Sequence, residues 1–166
     1  MAVFSNGKKA FDYICENKID EYTNMLYRVA IHNTGNEQDA EDAVQDTFLK
    51  LIKNQNSFKD EEHLKAWLIR VLINTSRDLF KKKSHEVISD ETVPEESYTE
   101  ELGENTVLEA VLQLPASYKN AIYLYYYEEH SVKEIAVILD EKENTVLSWL
   151  FRGRELLKKT IGGIEQ

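Results

Sequence analysis

Cysteine is nearly missing from this chain: Cys15 stands alone among 166 residues. A single thiol closes no internal disulfide and builds no thiolate metal cage, so Cys15 reads as a small packing residue of a reduced compartment. Prolines number two and glycines six, which argues against a loop-rich chain and for a mostly helical one. No apolar run is long enough to cross a bilayer, and the opening MAVFSNGKKAFDYICENK lacks a signal-peptide core. A cytoplasmic protein without membrane insertion is expected. Catalytic signatures are missing too: there is no Walker-type phosphate loop, no GxSxG elbow and no HExxH zinc helix. His32, His63, His85 and His130 are scattered without ligand spacing. No metal site, cofactor or enzymatic activity is expected.

What the chain does have is negative charge, unevenly placed. The formal net charge is −10. Residues 1–83 carry 13 basic and 13 acidic side chains, and residues 106–166 carry seven and nine. Between them, SHEVISDETVPEESYTEELGEN (84–105) holds eight acids and no Lys or Arg. Pro94, the lack of a long apolar period and mutual carboxylate repulsion make this stretch an extended acidic linker. Fully stretched it reaches about 70 Å, on the order of 20 base pairs of duplex. It serves either as a solvated spacer or in a specific role. Either way, most of the acidity is local.

The flanking segments read as two small helical domains, an all-α chain. One helix covers Ile19 to Asn33 and stops at Gly35. Asn36, with Asp39 three residues on, looks like an N-cap opening a helix to about Lys53. Its apolar stripe is Ala40, Ala43, Val44, Thr47, Phe48, Leu51 and Ile52. After the loop NQNSFKD, Asp60 can cap a helix from Glu61 to about Lys83, with Leu64, Trp67, Leu68, Val71, Leu72 and Leu79 inward. Beyond the linker, Val107 to Gln113 is a short helix. Pro115 opens the next in the first-turn position that proline tolerates, running to about Glu128. Ser131 and Glu134 form a capping-box pattern ahead of Ile135, Ile138 and Leu139. A turn at Asp140–Lys142 leads into a last helix, from Asn144 to Thr160. A helix, a tight turn and a second helix outline a DNA-reading helix-turn-helix.

Three surfaces could carry function. Arg70, Asn74, Arg77 and Lys81 share one face of the long helix, with Lys82 and Lys83 extending it and Trp67 nearby. Cations, an amide and an indole suit phosphate contact and the reading of exposed bases, although an ordinary solvated face looks similar. In the last helix, Val146, Trp149, Leu150, Gly153 and Leu157 point inward, while Ser148, Phe151, Arg152 and Glu155 lie outward. Ser, Phe and Arg can meet base edges, a thymine methyl and phosphate. Phe151 also fits a core, and Arg154, Lys158 and Lys159 also complement the helix dipole. The third surface is Glu41, Asp42, Gln45, Asp46 and Leu49, a docking face for a basic partner or a solvated one.

With both halves assembled, the chain resembles an extracytoplasmic-function (ECF) sigma factor, the small type of bacterial RNA polymerase specificity subunit. The likeness spans residues 22 to 160. LYRVAIHNTGNEQDAEDAVQDTFLKLIKN and FKDEEHLKAWLIRVLINTSRDLFKKK are similar to the family's domain two, and LPASYKNAIYLYYYEEHSVKEIAVILDEKENTVLSWLFRGRELLKK to its domain four. The resemblance implies that Glu41, Asp42, Gln45, Asp46 and Leu49 meet the polymerase β′ clamp. It implies that Asn56, Ser57, Phe58 and Lys59, with Trp67, Arg70 and Asn74, open the minus-ten element and hold a flipped non-template base. Arg77, Lys81 and Lys82 would follow the backbone. Asn144, Thr145, Ser148, Phe151, Arg152 and Arg154 would read the minus-thirty-five element. Core polymerase (β′ clamp and β flap), promoter DNA and an anti-sigma factor are the implied partners, the free chain being monomeric, with the linker carboxylates mimicking phosphate in the polymerase cleft.

The chain departs from that family at Leu147 and Trp149, where basic residues are frequent, and at Asp140, where glycine is usual. These changes weaken phosphate contact at the upstream element. Two other readings therefore stand beside the sigma factor: a free-standing helix-turn-helix regulator, and a polymerase-docking adaptor that no longer reads promoters.

Overall fold

A computed structural model describes residues 3–86 and 106–164. The chain divides into two compact units, Met1–Val93 and Pro94–Gln166. Both are helical among the described residues, which hold eight α-helices and an isolated β-bridge between Phe4 and Phe58.

The first unit holds α1 (Gly7–Asn17), α2 (Ile19–Thr34), α3 (Glu37–Lys53) and α4 (Glu61–Glu86). Local signals set most of the ends. Asn6 caps α1 by accepting from the Lys9 N–H at 2.9 Å. Gly35 ends α2 at φ 87°, a left-handed position that a side chain would strain. Asn36 accepts from the Asp39 N–H at 2.8 Å, and the Asp60 carboxylate accepts from the His63 N–H at 2.8 Å. The expected caps of α3 and α4 are therefore present. The core joins Ala10 and Ile14 of α1 to Tyr22, Leu26 and Val29 of α2, Ala40, Ala43 and Leu51 of α3, and Leu64, Leu68, Ile69, Leu72 and Ile73 of α4. Burying an aliphatic side chain of this kind stabilises the fold by about 1.5–3 kcal/mol.

Residues 7–17, left unassigned above, form α1. The final helix of this unit also continues three residues past 83, through Glu86, so only residues 87–105 of the acidic segment lie outside the described residues. Ile69 and Ile73 join the buried face because α4 is packed by both α2 and α3.

The second unit holds α5 (Thr106–Leu112), α6 (Ala116–Tyr126), α7 (Val132–Leu139) and α8 (Glu143–Ile164). Pro115 is the residue before α6 rather than its first turn, and α6 ends at Tyr126, two residues short of expectation. The capping box forms in full: Ser131 Oγ accepts from the Glu134 N–H at 3.1 Å, and Glu134 Oε1 from the Ser131 N–H at 3.3 Å. Asp140 ends α7 in the left-handed region, at φ 54° and ψ 52°. Val111, Ala121, Ile122, Leu124, Ile135, Ile138, Val146 and Leu150 make the core. Gly153 is buried where α8 crosses α6, and a Cβ there would sit 3.0 Å from Ile122 Cγ1.

Candidate nucleic-acid interface

The face of α3 opposite its buried stripe carries Glu41, Asp42, Gln45, Asp46 and Leu49, all exposed. Leu49, at 52% exposure, is an apolar point inside an acidic surface. The helix beneath it is fixed. Thr47 is buried and donates its hydroxyl to the Ala43 carbonyl at 2.7 Å, and Lys50 Nζ donates to Thr75 Oγ1 of α4 at 2.8 Å.

The loop between α3 and α4 turns Asn56, Ser57 and Lys59 to solvent and Phe58 inward. Phe58 is 1% exposed. Its ring meets Trp67 edge-on at 5.6 Å and His63 at 5.4 Å. The Lys59 N–H donates to His63 Nδ1 at 3.0 Å, which closes the loop against the first turn of α4. Phe58 therefore departs from its expected place among base-contacting residues: the ring is consumed by the domain's own core. It still joins the loop to Trp67, which is half-buried beside it.

From Trp67 the strip continues along α4. Arg70 is half-buried, and Asn74, Arg77, Lys81 and Lys82 are exposed. At 1.5 Å per residue, Trp67 to Lys81 covers about 21 Å. Phe80, 60% exposed, lies beside Arg77 and Lys81. It was not anticipated; an apolar residue outside the i, i+3, i+4 stripe was the available signal.

In the second unit, α8 presents Asn144, Phe151 and Arg152 as exposed side chains, with Thr145 and Ser148 half-buried between them. Phe151 is 62% exposed, which settles its two sequence readings in favour of the outer face. Leu147 is exposed beside it, and Trp149 is half-buried. Arg154 does not join this group. Its Nε donates to the Tyr126 hydroxyl at 2.7 Å, and the guanidinium lies 5.6 Å and 5.9 Å from the ring centres of Tyr126 and Tyr125. Arg154 is thus engaged with α6, well over a quarter-turn from Ser148 and Arg152 at 100° per residue.

The electrostatics are local. Glu61 accepts from Lys18 Nζ at 2.7 Å and from the Tyr22 hydroxyl at 2.8 Å. The Lys18 hydrogen bond, joined by that of Tyr22, holds the Glu61 carboxyl below its ordinary value. Burial, then the Glu61 bond, pushes the Tyr22 hydroxyl up. Glu134 is lowered chiefly by its hydrogen bond to His130. Among the described residues no group of His, Cys, Asp and Glu could hold a metal ion, and no helix is long and apolar enough to cross a membrane.

Residues 19–86 match the family model for Sigma-70 region 2, and residues 104–157 that for Sigma-70, region 4. The ECF RNA polymerase sigma factor SigW of Bacillus subtilis is 29% identical over 161 residues, covering 86% of either chain. The sigma factor SigV of the same organism is 32% identical over 143 residues, covering 84% of this chain and 86% of its own. The sigma factor RpoE of Bartonella quintana, solved in complex with the anti-sigma factor NepR, superposes with a TM-score of 0.70 at 26% identity, over 89% of this chain and 96% of that one. With the region 2 strip on α4, the region 4 helix-turn-helix and relatives of nearly equal span, the chain belongs to the ECF family of alternative sigma factors, which direct promoter-specific transcription initiation.

Proposed function

We propose that the two units divide initiation between them. Residues 1–83 dock on core RNA polymerase and open the minus-ten element, and residues 106–166 read the minus-thirty-five element. The observation that carries this reading is the continuous strip of Trp67, Arg70, Asn74, Arg77, Lys81 and Lys82, contiguous with the exposed loop residues Asn56, Ser57 and Lys59. The indole edge and the Asn74 amide suit a displaced base, and the cations suit the phosphates that follow it. The acidic face Glu41, Asp42, Gln45, Asp46 and Leu49 takes the polymerase β′ clamp. Asn144, Thr145, Ser148, Phe151 and Arg152 take the upstream base edges, with Arg154 supporting them by tying α8 to Tyr126 of α6.

The free chain is a cytoplasmic monomer with little affinity for duplex. At a net charge of −10 it releases few counterions on meeting DNA. Polymerase, including its β flap, supplies the affinity, and the local patches supply selection. Because RpoE of Bartonella quintana was solved with an anti-sigma factor, an anti-sigma protein is also assigned here as regulator. The acidic segment 84–105 connects the units and competes for basic surfaces.

Run-off transcription with core polymerase tests this directly. Asn74→Ala should leave polymerase binding intact and reduce promoter opening by about tenfold, the scale on which one base contact is felt. An unchanged transcript would remove Asn74 from the site.

A further inference from the structure

We infer that residues 3–7 form a strap that positions the strand-capturing loop, with Phe4 and Gly7 as its positioning residues. This inference rests on the reading of that loop given above and adds residues outside the Sigma-70 region 2 match, which begins at residue 19. Phe4 and Phe58 exchange two backbone hydrogen bonds: Phe4 N–H to Phe58 O at 3.2 Å and Phe58 N–H to Phe4 O at 2.8 Å. On one side the Val3 N–H reaches Lys59 O at 3.4 Å, and on the other the Gly7 N–H reaches Asn54 O at 2.9 Å. Four bonds thus span the loop from its first residue almost to its last.

The side chains repeat the pattern. Phe4 and Phe58 are both buried. Phe4 packs against Tyr13 of α1 at 5.0 Å, and Phe58 against Trp67 of α4. The loop is therefore anchored from beneath by α1 and α4, and its outer side chains Asn56, Ser57 and Lys59 stay exposed. Gly7 makes this closeness possible: a Cβ at that position would lie 1.7 Å from the Leu51 carbonyl oxygen. Polar loops ordinarily sample many conformations, and ordering them costs binding free energy. A loop already fixed through its backbone meets a displaced base without that cost.

The test uses the full chain assembled with core polymerase, on a promoter it transcribes, with 2-aminopurine placed in the non-template strand of the opening region. The fluorescence rise reports the base leaving the stack. Phe4→Ala should slow it about tenfold, because small misplacements of a positioned group carry large rate effects. Affinity for core polymerase should stay within about twofold. Ile14→Ala removes a buried side chain from α1, about two turns beyond the strap, and should leave the signal unchanged.

An unchanged signal in Phe4→Ala, or an equal loss in Ile14→Ala, overturns the inference. Asn56→Ala and Lys59→Ala separate it from the reading beneath. If they lose the signal while Phe4→Ala keeps it, the loop reading stands and the strap is refuted. If they keep it, the loop reading falls and takes the strap's role with it. Should Phe4→Ala fail to fold, Val3→Pro deletes one bond from an exposed position, and an opening rate equal to that of the unaltered chain would be equally fatal.

Discussion

Arg154 donates a 2.7 Å hydrogen bond to the Tyr126 hydroxyl, so this cation of the last helix is bound to the protein itself. A residue used in packing and a residue used in reading respond differently to removal. Arg154→Ala should lower the thermal stability of the second unit by about 1 kcal/mol, the scale of a hydrogen bond and a cation–π contact together. Promoter preference at the upstream element should not change. Arg152→Ala should leave stability nearly untouched and relax that preference by about 1–3 kcal/mol per base pair contacted. Competition between promoter variants, run beside thermal melts, checks both.

Asp140 adopts φ 54° and ψ 52°, a conformation that costs an L-residue about 1 kcal/mol and glycine almost nothing. The turn holds because the Asp140 N–H is accepted by the Ala136 and Val137 carbonyls. Asp140→Gly should therefore raise stability by about 0.5 kcal/mol, after allowance for the freer unfolded chain. It also removes one negative charge from the helix-turn-helix. Differential scanning of the two chains, with promoter binding by the holoenzyme alongside, reads both effects.

The Lys18–Glu61–Tyr22 cluster predicts the direction of acid sensitivity in the first unit. Glu61 titrates below its ordinary value when folded, principally through the Lys18 hydrogen bond. Its contribution is complete above the ordinary carboxylate value near 4.5 and is lost as pH falls through the lower folded value. Glu61→Gln should lower stability at neutral pH and flatten the decline below pH about 4.5. Urea titrations at several pH values check this; a parallel acid limb in both chains would exclude the cluster.

Lys81 and Lys82 are exposed at the far end of the α4 strip. If they follow phosphates, replacing either by alanine weakens promoter binding by the holoenzyme and reduces the slope of log affinity against log salt by about 1. Base preference should stay as it was. Fluorescence anisotropy across a salt series distinguishes this from a direct base contact, which would alter preference with the slope held.

Where the sequence was legible, the deciding contacts were local. Asn36 and Asp39 are three residues apart, as are Ser131 and Glu134, and both caps form as their spacing requires. The cationic face of α4 follows from helical periodicity alone, and so does the exposed acidic face of α3. What escaped depends on distant partners. Phe58 stands in a polar loop and resembles a reader of bases until Phe4 is found beneath it. Arg154 resembles a DNA contact until Tyr126, 28 residues earlier, accepts its hydrogen bond. α1 escaped as well, and one short stripe of Ala10 and Ile14 gives no hint that the residues ahead of it would hold a loop.

Gly153 follows Arg152 directly and lies two residues beyond Phe151, on the side of α8 pressed to Ile122. Its missing side chain acts as a depth gauge, letting this turn of α8 lie against the Ile122 side chain of α6. An alanine Cβ there would meet Ile122 at 3.0 Å, so either that side chain or this turn of α8 would have to give by a few tenths of an ångström. The height at which α8 presents Phe151 and Arg152 is calibrated from behind, by an atom that is not there.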